Sequence, residues 1–198
     1  MGSLLESLRK TDRVLRIYRE QEGNGNFPIQ IEPLVQIVKD DTGPEIKYRK
    51  RNQDQRGQIE GLLLRYESIA YIEYNSELNT CWRRFVVCKE LCHLILDSPE
   101  EYTKSLLRLV ERLIGGQIPS KPMEDLASER MAQIAVMELL FPHDLRRSVI
   151  EHFEKGRLSL LKVATVFRIP QKYAEICLHR RYVDYMEDVR REMATDSG

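Results

Sequence analysis

Apolar residues recur every three or four positions over most of this chain, a spacing that predicts amphipathic helices. The first such stretch is Ser3–Gln21, and the Gly, Asn and Pro residues at 22–28 mark a linker after it. A second helix is predicted from Pro33 to Lys39, and from Asn79 onward the pattern is almost entirely helical. The helices predicted there are Cys81–Leu96, Ser98–Ile114, Glu124–Phe141, residues 143–156 and two or three shorter ones after Leu158.

A short central part of the chain has the pattern of strands instead. The runs Leu62–Tyr66 and Ala70–Tyr74 are rich in aliphatic residues and Tyr and are separated by polar residues, which predicts a hairpin. Ile46 and Tyr48 lie in a basic stretch before it, which fits either an edge strand or a solvated loop. A small β element among many helices predicts an α+β fold, mostly α, in which a small antiparallel or mixed sheet packs on a helical core.

Composition narrows the class of protein. The chain has 198 residues, enough for one domain or for one domain with a small appendage. Lys plus Arg equal Asp plus Glu at 31 each, which excludes a uniformly basic surface for nucleic acid and leaves only a local patch open. No apolar run approaches the roughly 18 residues that a membrane span needs. We therefore expect a protein that does not contact membranes.

The four cysteines point to a reducing compartment. The first apolar stretch is broken by charge too early for a secretory signal, so we expect a cytoplasmic protein with reduced thiols. Cys88 and Cys92 stand four positions apart on a predicted helix. There they fit small buried hydrophobic residues better than metal ligands.

The helix Cys81–Leu96 contains a pentapeptide with a chemical signal, Lys-Glu-Leu-Cys-His at positions 89–93. Residues four apart lie on one helix face. A histidine at 89 would therefore complete H-E-x-x-H, in which two imidazoles hold zinc and the glutamate acts on zinc-bound water. Taken alone, the pentapeptide favours an ordinary helix that buries its apolar residues and leaves Lys89 and Glu90 in solvent.

The residues around this pentapeptide resemble the ImmA/IrrE family of metallopeptidase-like proteins, whose first motif has the form R-F-x-x-A-H-E-L-G-H. The residues that match are Arg84, Phe85, Glu90, Leu91 and His93, and Cys88, Lys89 and Cys92 replace the Ala, the first His and the Gly. The family's second motif, E-x-x-A-N/D-x-F-A-x-x-L-L-x-P, is similar to residues 129–142. The residues that match there are Glu129, Ala132, Leu139, Leu140 and Pro142. The resemblance extends roughly from Ile29 to Tyr182.

This resemblance implies a zincin-like helical core over residues 28–145. An N-terminal helix and linker (residues 1–27) would precede it, and a helical tail similar to a helix-turn-helix unit (residues 146–198) would follow. It also implies that Glu90 is a vestigial general base and that His93 and Glu129 are vestigial zinc ligands. Lys89 takes the place of the first ligand.

Lys89 changes what such a site can bind. An ammonium group has no lone pair near neutral pH, and the two remaining protein ligands fall short of the three that catalytic zinc uses. We therefore expect no cofactor. Under the alternative, in which the protein uses an altered set of ligands, the cofactor would be zinc. The ammonium could instead pair with Glu90 and Glu129 and supply the missing positive charge. The alternative is a side chain that extends outward to solvent.

The tail is the most basic part of the chain, with seven Lys or Arg and one acid in residues 155–181. It fits a helix-turn-helix unit in which residues 168–170 form the turn and residues 171–181 the reading helix. It also fits a helical pair packed on the core with a solvated basic face. The candidate binding residues, with Arg84 from the first motif, are Lys162, Arg168, Lys172, Arg180 and Arg181.

From these patterns we expect a catalytically degenerate ImmA/IrrE-like protein, a pseudo-metallopeptidase rather than an enzyme. It would be a regulatory or protein-interaction module in phage, mobile-element or stress control. The expected partner is a helix-turn-helix repressor or a phage or mobile-element protein. Two alternatives remain: an active zinc endopeptidase with an altered ligand set that acts on a repressor, and a DNA-binding regulator that uses the tail.

Overall fold

The computed structural model describes residues 3–23, 27–52, 60–98 and 123–195, the side chains of residues 123–126 excepted. The helices in these ranges are α1 (Leu4–Glu22), α2 (Ile31–Thr42), α3 (Thr80–Leu96), α4 (Met123–Leu140), α5 (His143–Glu154), α6 (Leu160–Phe167), α7 (Gln171–Leu178) and α8 (Arg180–Thr195). The strands are β1 (Glu45–Arg51), β2 (Gly61–Arg65) and β3 (Ile69–Asn75). The fold is α+β and mostly α, as predicted. The helix predicted at Ser98–Ile114 lies outside the described residues.

Local chemistry explains where the helices begin and end. The side chains of Ser3, Asn79 and Ser159 each accept a hydrogen bond from a backbone N–H in the first turn of α1, α3 and α6. Such caps satisfy amide groups that have no partner within the helix. Pro142 follows the end of α4 and stands before α5, where its ring prevents one continuous helix. The predicted bounds are therefore correct to within a few residues.

The three strands form a mixed sheet in the order β1-β3-β2. β2 and β3 are antiparallel and form the predicted hairpin, with Gly61 opposite Tyr74. β1 pairs with β3 in parallel, with Glu45 opposite Ile69, so Ile46 and Tyr48 belong to an edge strand rather than to a loop. The central strand contributes its buried residues Ala70 and Ile72 to the core.

β2 lies directly against α3 because Gly61 has no side chain. A Cβ atom at this position would overlap Cγ1 of Val86 and would lie 3.0 Å from Oε1 of Glu90. At the other end of the strand, Nη1 of Arg65 donates to the carbonyl oxygen of Asp97 at 3.2 Å. The strand is thus fixed along α3 at both of its ends.

α3 is the central helix of the core and is buried on nearly all sides. Its buried apolar residues are Phe85, Val86, Val87, Cys88, Leu91, Cys92 and Leu94. Cys88 and Cys92 are free thiols inside this apolar core, as predicted. Burial raises the pKa of the Cys88 thiol to about 12, so this side chain remains neutral.

A buried carboxylate on α4 ties the two ends of the chain together. Glu138 is 1% exposed and forms an ion pair with the fully buried Arg146 of α5. Tyr182 and Arg190 of α8 donate to its two oxygens at 3.1 and 3.0 Å. Arg190 also contacts both carboxylate oxygens of Asp12, at 2.9 and 3.2 Å, so that α1 is held against α8 and the core.

The tail has three helices, and the second is packed against the core. α6 and the turn that follows it are where the sequence predicts them. The predicted reading helix of residues 171–181 is wrong in length, because α7 ends at Leu178 and α8 begins at Arg180. The ring of Tyr173 on α7 stacks on Phe85 of α3 at 3.8 Å, and Trp82 meets it edge-on at 5.7 Å. None of the described helices combines the length and the apolar composition needed to cross a membrane.

Candidate functional site

The residues that the two motifs single out meet between α3 and α4. Lys89, His93 and Asp97 stand four positions apart and form one row along α3. Glu129, in the middle of α4, contacts both Lys89 and His93. Ser128 contacts Asp97 next to them. Residues that are 40 positions apart in the sequence therefore converge in a single polar cluster at the edge of the apolar core.

Lys89 lies between two carboxylates. Its Nζ donates to Oε2 of Glu129 at 3.0 Å and lies 3.2 Å from Oε1 of Glu90. The side chain is 19% exposed, so the alternative in which it extends outward to solvent is wrong. Burial alone would lower its pKa, but the two carboxylates raise the pKa of Lys89 well above its ordinary value. Lys89 is therefore a fixed ammonium group at any physiological pH.

Glu90 is among the least accessible charged residues described, with 3% of its surface exposed. The interpretation of α3 as an ordinary helix with Glu90 in solvent is therefore wrong. Its Oε1 forms the ion pair with Lys89 and makes no hydrogen bond within the described part of the chain. A buried carboxylate without a partner is costly, so the Lys89 ammonium is what stabilises its charge.

His93 has a carboxylate on each side of its ring. Nδ1 lies 2.7 Å from Oδ2 of Asp97, and Nε2 lies 3.5 Å from Oε1 of Glu129, an ion-pair contact rather than a hydrogen bond. Burial alone would lower the pKa of His93, but the contacts with Asp97 and Glu129 outweigh it and raise the pKa to about 9. The imidazole thus carries a proton on both nitrogens at neutral pH.

Glu129 contacts both cations of the cluster, Lys89 and His93. Burial would raise its pKa, but the contacts with His93 and Lys89 hold the pKa of this carboxyl well below its usual range. Its side chain is 40% exposed, which makes it the most accessible carboxylate of the cluster. Through Glu129 the cluster is open to the surface on one side.

A zinc ion does not fit this arrangement. A metal ligand must offer a lone pair, and the Lys89 ammonium would have to lose its proton first, which leaves His93 and Glu129 as two ligands where catalytic zinc uses three. Within the described residues, no group of three or more His, Cys, Asp or Glu side chains is placed to hold a metal ion. The two cations together carry the charge of one dication, opposite Glu90 and Glu129.

Three residues in and beside the cluster were not predicted. Asp97 stands one helical turn after His93, and that spacing could have identified it. The hydroxyl of Ser128 donates to both oxygens of Asp97, at 3.0 and 2.9 Å. Tyr173 accepts a hydrogen bond from Gln133 at 2.8 Å, one turn after Glu129. No local pattern in the sequence connects Ser128 or Tyr173 to α3.

The other candidate binding residues are not part of the cluster. Arg84 is buried, and its guanidinium donates to the carbonyl oxygen of Ile29, a contact inside the core that leaves little of it for a partner. Arg180 pairs with Glu154 and Asp184 on the tail. The remaining four tail residues, Lys162, Arg168, Lys172 and Arg181, are exposed on α6, on the turn, on α7 and at the start of α8.

No protein-family model matches the chain, and no curated protein matches it either. The interpretation of this cluster therefore depends on its own geometry and on the motif residues quoted above.

Loss of the Lys89 ammonium should destabilise the fold. In the Lys89→Met variant the side chain keeps its length, but Glu90 loses its ion-pair partner and Glu129 keeps only the contact with His93. We expect the free energy of unfolding, measured in urea, to decrease by about 2 kcal/mol. This value lies between those for exposed and buried ion pairs, because Glu129 is partly exposed. The Lys89→Met/Glu129→Gln double variant should lose less than the sum of the two single variants.

The surface pair Lys10–Glu6, at 3.2 Å on α1, provides the matched control, because Lys10→Met should change stability by less than about 0.5 kcal/mol. Equal losses for Lys89→Met and Lys10→Met would contradict the role assigned to Lys89.

The proton on His93 should make stability depend on pH. The folded pKa of about 9 lies above the ordinary value of 6.5. The stabilisation is therefore fully present below about pH 6.5 and is lost as the pH rises through about 9. The urea midpoint should decrease over this range more in the wild type than in His93→Gln, which has no proton to lose. Identical pH profiles of the two proteins would show that His93 is neutral when folded.

Proposed function

We propose that this protein is a catalytically degenerate ImmA/IrrE-like module that acts by binding a protein partner. The observation that carries the proposal is the position of the Lys89 ammonium, 3.0 Å from Glu129 and 3.2 Å from Glu90. In the family that the motifs resemble, the residue at position 89 is a zinc ligand. Here the side chain at this position is itself a cation, the Lys89 ammonium.

The meeting of the two motif helices supports this proposal. The resemblance expects a histidine and a glutamate from two separate motifs to approach each other, and His93 and Glu129 lie 3.5 Å apart.

The proposed site lacks the means for zinc-dependent hydrolysis. Such hydrolysis needs a metal-bound water and a free carboxylate that acts as its base. In this cluster Glu90 is paired with Lys89, whose ammonium stands where the first metal ligand would be. The geometry therefore favours the degenerate binding module over a zinc endopeptidase with an altered ligand set, although both would use the same residues.

A single substitution separates these two possibilities. The Lys89→His variant would present two histidines and Glu129, the three protein ligands that catalytic zinc sites use. We expect wild-type protein purified without chelators to contain no zinc and the variant to bind about one equivalent, measured by mass spectrometry. Zinc should also raise the urea midpoint of the variant, because a ligand that binds only the folded state stabilises it by about 2.7 kcal/mol at 100 times Kd.

Lys89→Gln is the control, since it removes the ammonium without adding a ligand and should bind no zinc. The Lys89→His/Glu129→Gln double variant should lose the gained zinc. One equivalent of zinc in the wild type would favour the active peptidase instead.

The partner class can be tested directly. We expect a tagged full-length chain, purified from its native host, to recover a helix-turn-helix repressor or a phage or mobile-element protein at full length. The two purified proteins should form a complex again when mixed, and the partner should stay uncleaved after incubation with zinc, as judged by intact mass. Cleavage of the partner by the wild type would disprove the degenerate site, and the absence of any complex would disprove the partner class.

A further inference from the structure

We infer that the surface formed by α6, the turn at residues 168–170 and α7 binds duplex DNA. The two helices are short, are joined by three residues and pack through buried apolar side chains on each of them, including Phe167 and Cys177. Two packed helices joined by such a turn are the unit that places its second helix in the major groove. The stack of Tyr173 on Phe85 holds this unit against α3, so the surface is rigid before any ligand arrives.

Arg168, the first residue of the turn, has an unusual backbone conformation. Arg168 has φ 50° and ψ 46°, the left-handed conformation, and is the one residue other than glycine with positive φ in the described ranges. Glycine adopts this conformation without steric cost, and it is the common residue at a helix C-terminus of this type. An arginine in this conformation has a less favourable backbone energy than a glycine would have, but it puts a positive charge on the turn. The strained conformation therefore points to a function for that charge.

The cations on this surface have no carboxylate partners. Lys162, Arg168 and Lys172 are exposed and form no ion pair in the part of the chain that the structure describes, and the same holds for Arg157 and Arg181 nearby. Elsewhere on the tail, by contrast, Lys155 pairs with Glu151 and Arg180 with two acids. Because the whole chain has no net charge, the three unpaired cations on α6, the turn and α7, with two more close by in sequence, make this part of the surface locally positive.

The exposed face of α7 has the side chains that can contact base edges. Gln171, Lys172, Glu175 and His179 are exposed, whereas the opposite face is buried against the core. Amide and ammonium groups donate to purine acceptors in the major groove, and a carboxylate accepts from cytosine. The phosphate contacts would come from the surrounding cations, which give affinity without sequence preference.

A protein partner at the same place would depend on different residues. Leu161 and Val166 on α6 are 65% and 44% exposed and could form an apolar contact. Such a contact would survive high salt, whereas contacts with phosphate release counterions and weaken as salt rises. The charges, which outnumber the exposed apolar side chains, favour DNA.

Fluorescence anisotropy with the full chain and a labelled duplex of mixed sequence tests this inference. We expect a Kd of about 10⁻⁴ to 10⁻⁶ M near physiological salt and a slope of log K against log salt of about −4, from about five phosphate contacts. Arg168→Gly should weaken binding about five- to tenfold and make the slope less steep by about 1. This variant relieves the backbone conformation, so its urea midpoint should not decrease and its loss of binding cannot be due to unfolding.

Lys155→Gln is the matched control, because this lysine already pairs with Glu151 and should leave the affinity unchanged. Leu161→Ala should also bind DNA like the wild type. The inference is overturned if no duplex binds at about 50 mM salt, or if Lys155→Gln weakens binding as much as Arg168→Gly. It is also overturned if single-stranded RNA binds more tightly than the duplex, or if affinity depends on Leu161 and not on salt.

Discussion

A carboxylate on the deeply buried helix α3 needs a positive charge beside it, and much of the architecture around it follows from that requirement. Glu90 is on the face of α3 that β2 covers, and the absence of a side chain at Gly61 lets the strand approach to this distance. Water has little access there, so the attraction of Lys89 compensates for the lost solvation. Without that ammonium, the same packing of strand and helix would enclose an isolated charge.

The cluster also explains why α3 and α4 pack where they do. Lys89 and His93 bring two positive charges, and Glu90, Glu129 and Asp97 bring three negative ones. If a dication with two neutral ligands stood in place of these two cations, the net charge would be the same.

Much of the fold could be predicted from the sequence because its signals are local. Helix periodicity, the caps at Ser3 and Asn79 and the stop at Pro142 act within a few residues, and the described elements follow them. The parallel pairing of β1 could not be predicted, because it depends on how the chain crosses the sheet. The reading helix was predicted too long, since the break at His179 has neither Gly nor Pro to mark it.

The candidate site was predictable in part for the same reason. Glu90, His93 and Glu129 follow from motif spacing, and their convergence was an expectation of the resemblance alone. The burial of Glu90 was not visible from its helix, since β2 covers it from elsewhere in the sequence. Arg84 was predicted to bind a partner because it belongs to the motif. In the structure it is buried in the core, where it donates to the carbonyl oxygen of Ile29. Position in a motif indicates which residues matter, but only packing decides what each one does.

The tail and the cluster are mechanically connected, which bears on both proposals. Tyr173 stacks on Phe85, one turn before Lys89, and its hydroxyl accepts from Gln133, one turn after Glu129. These two side chains connect the helices of the cluster directly to α7, which carries the basic surface. A ligand at one surface that changed the affinity of the other would act through these contacts, and the change would be equal in both directions.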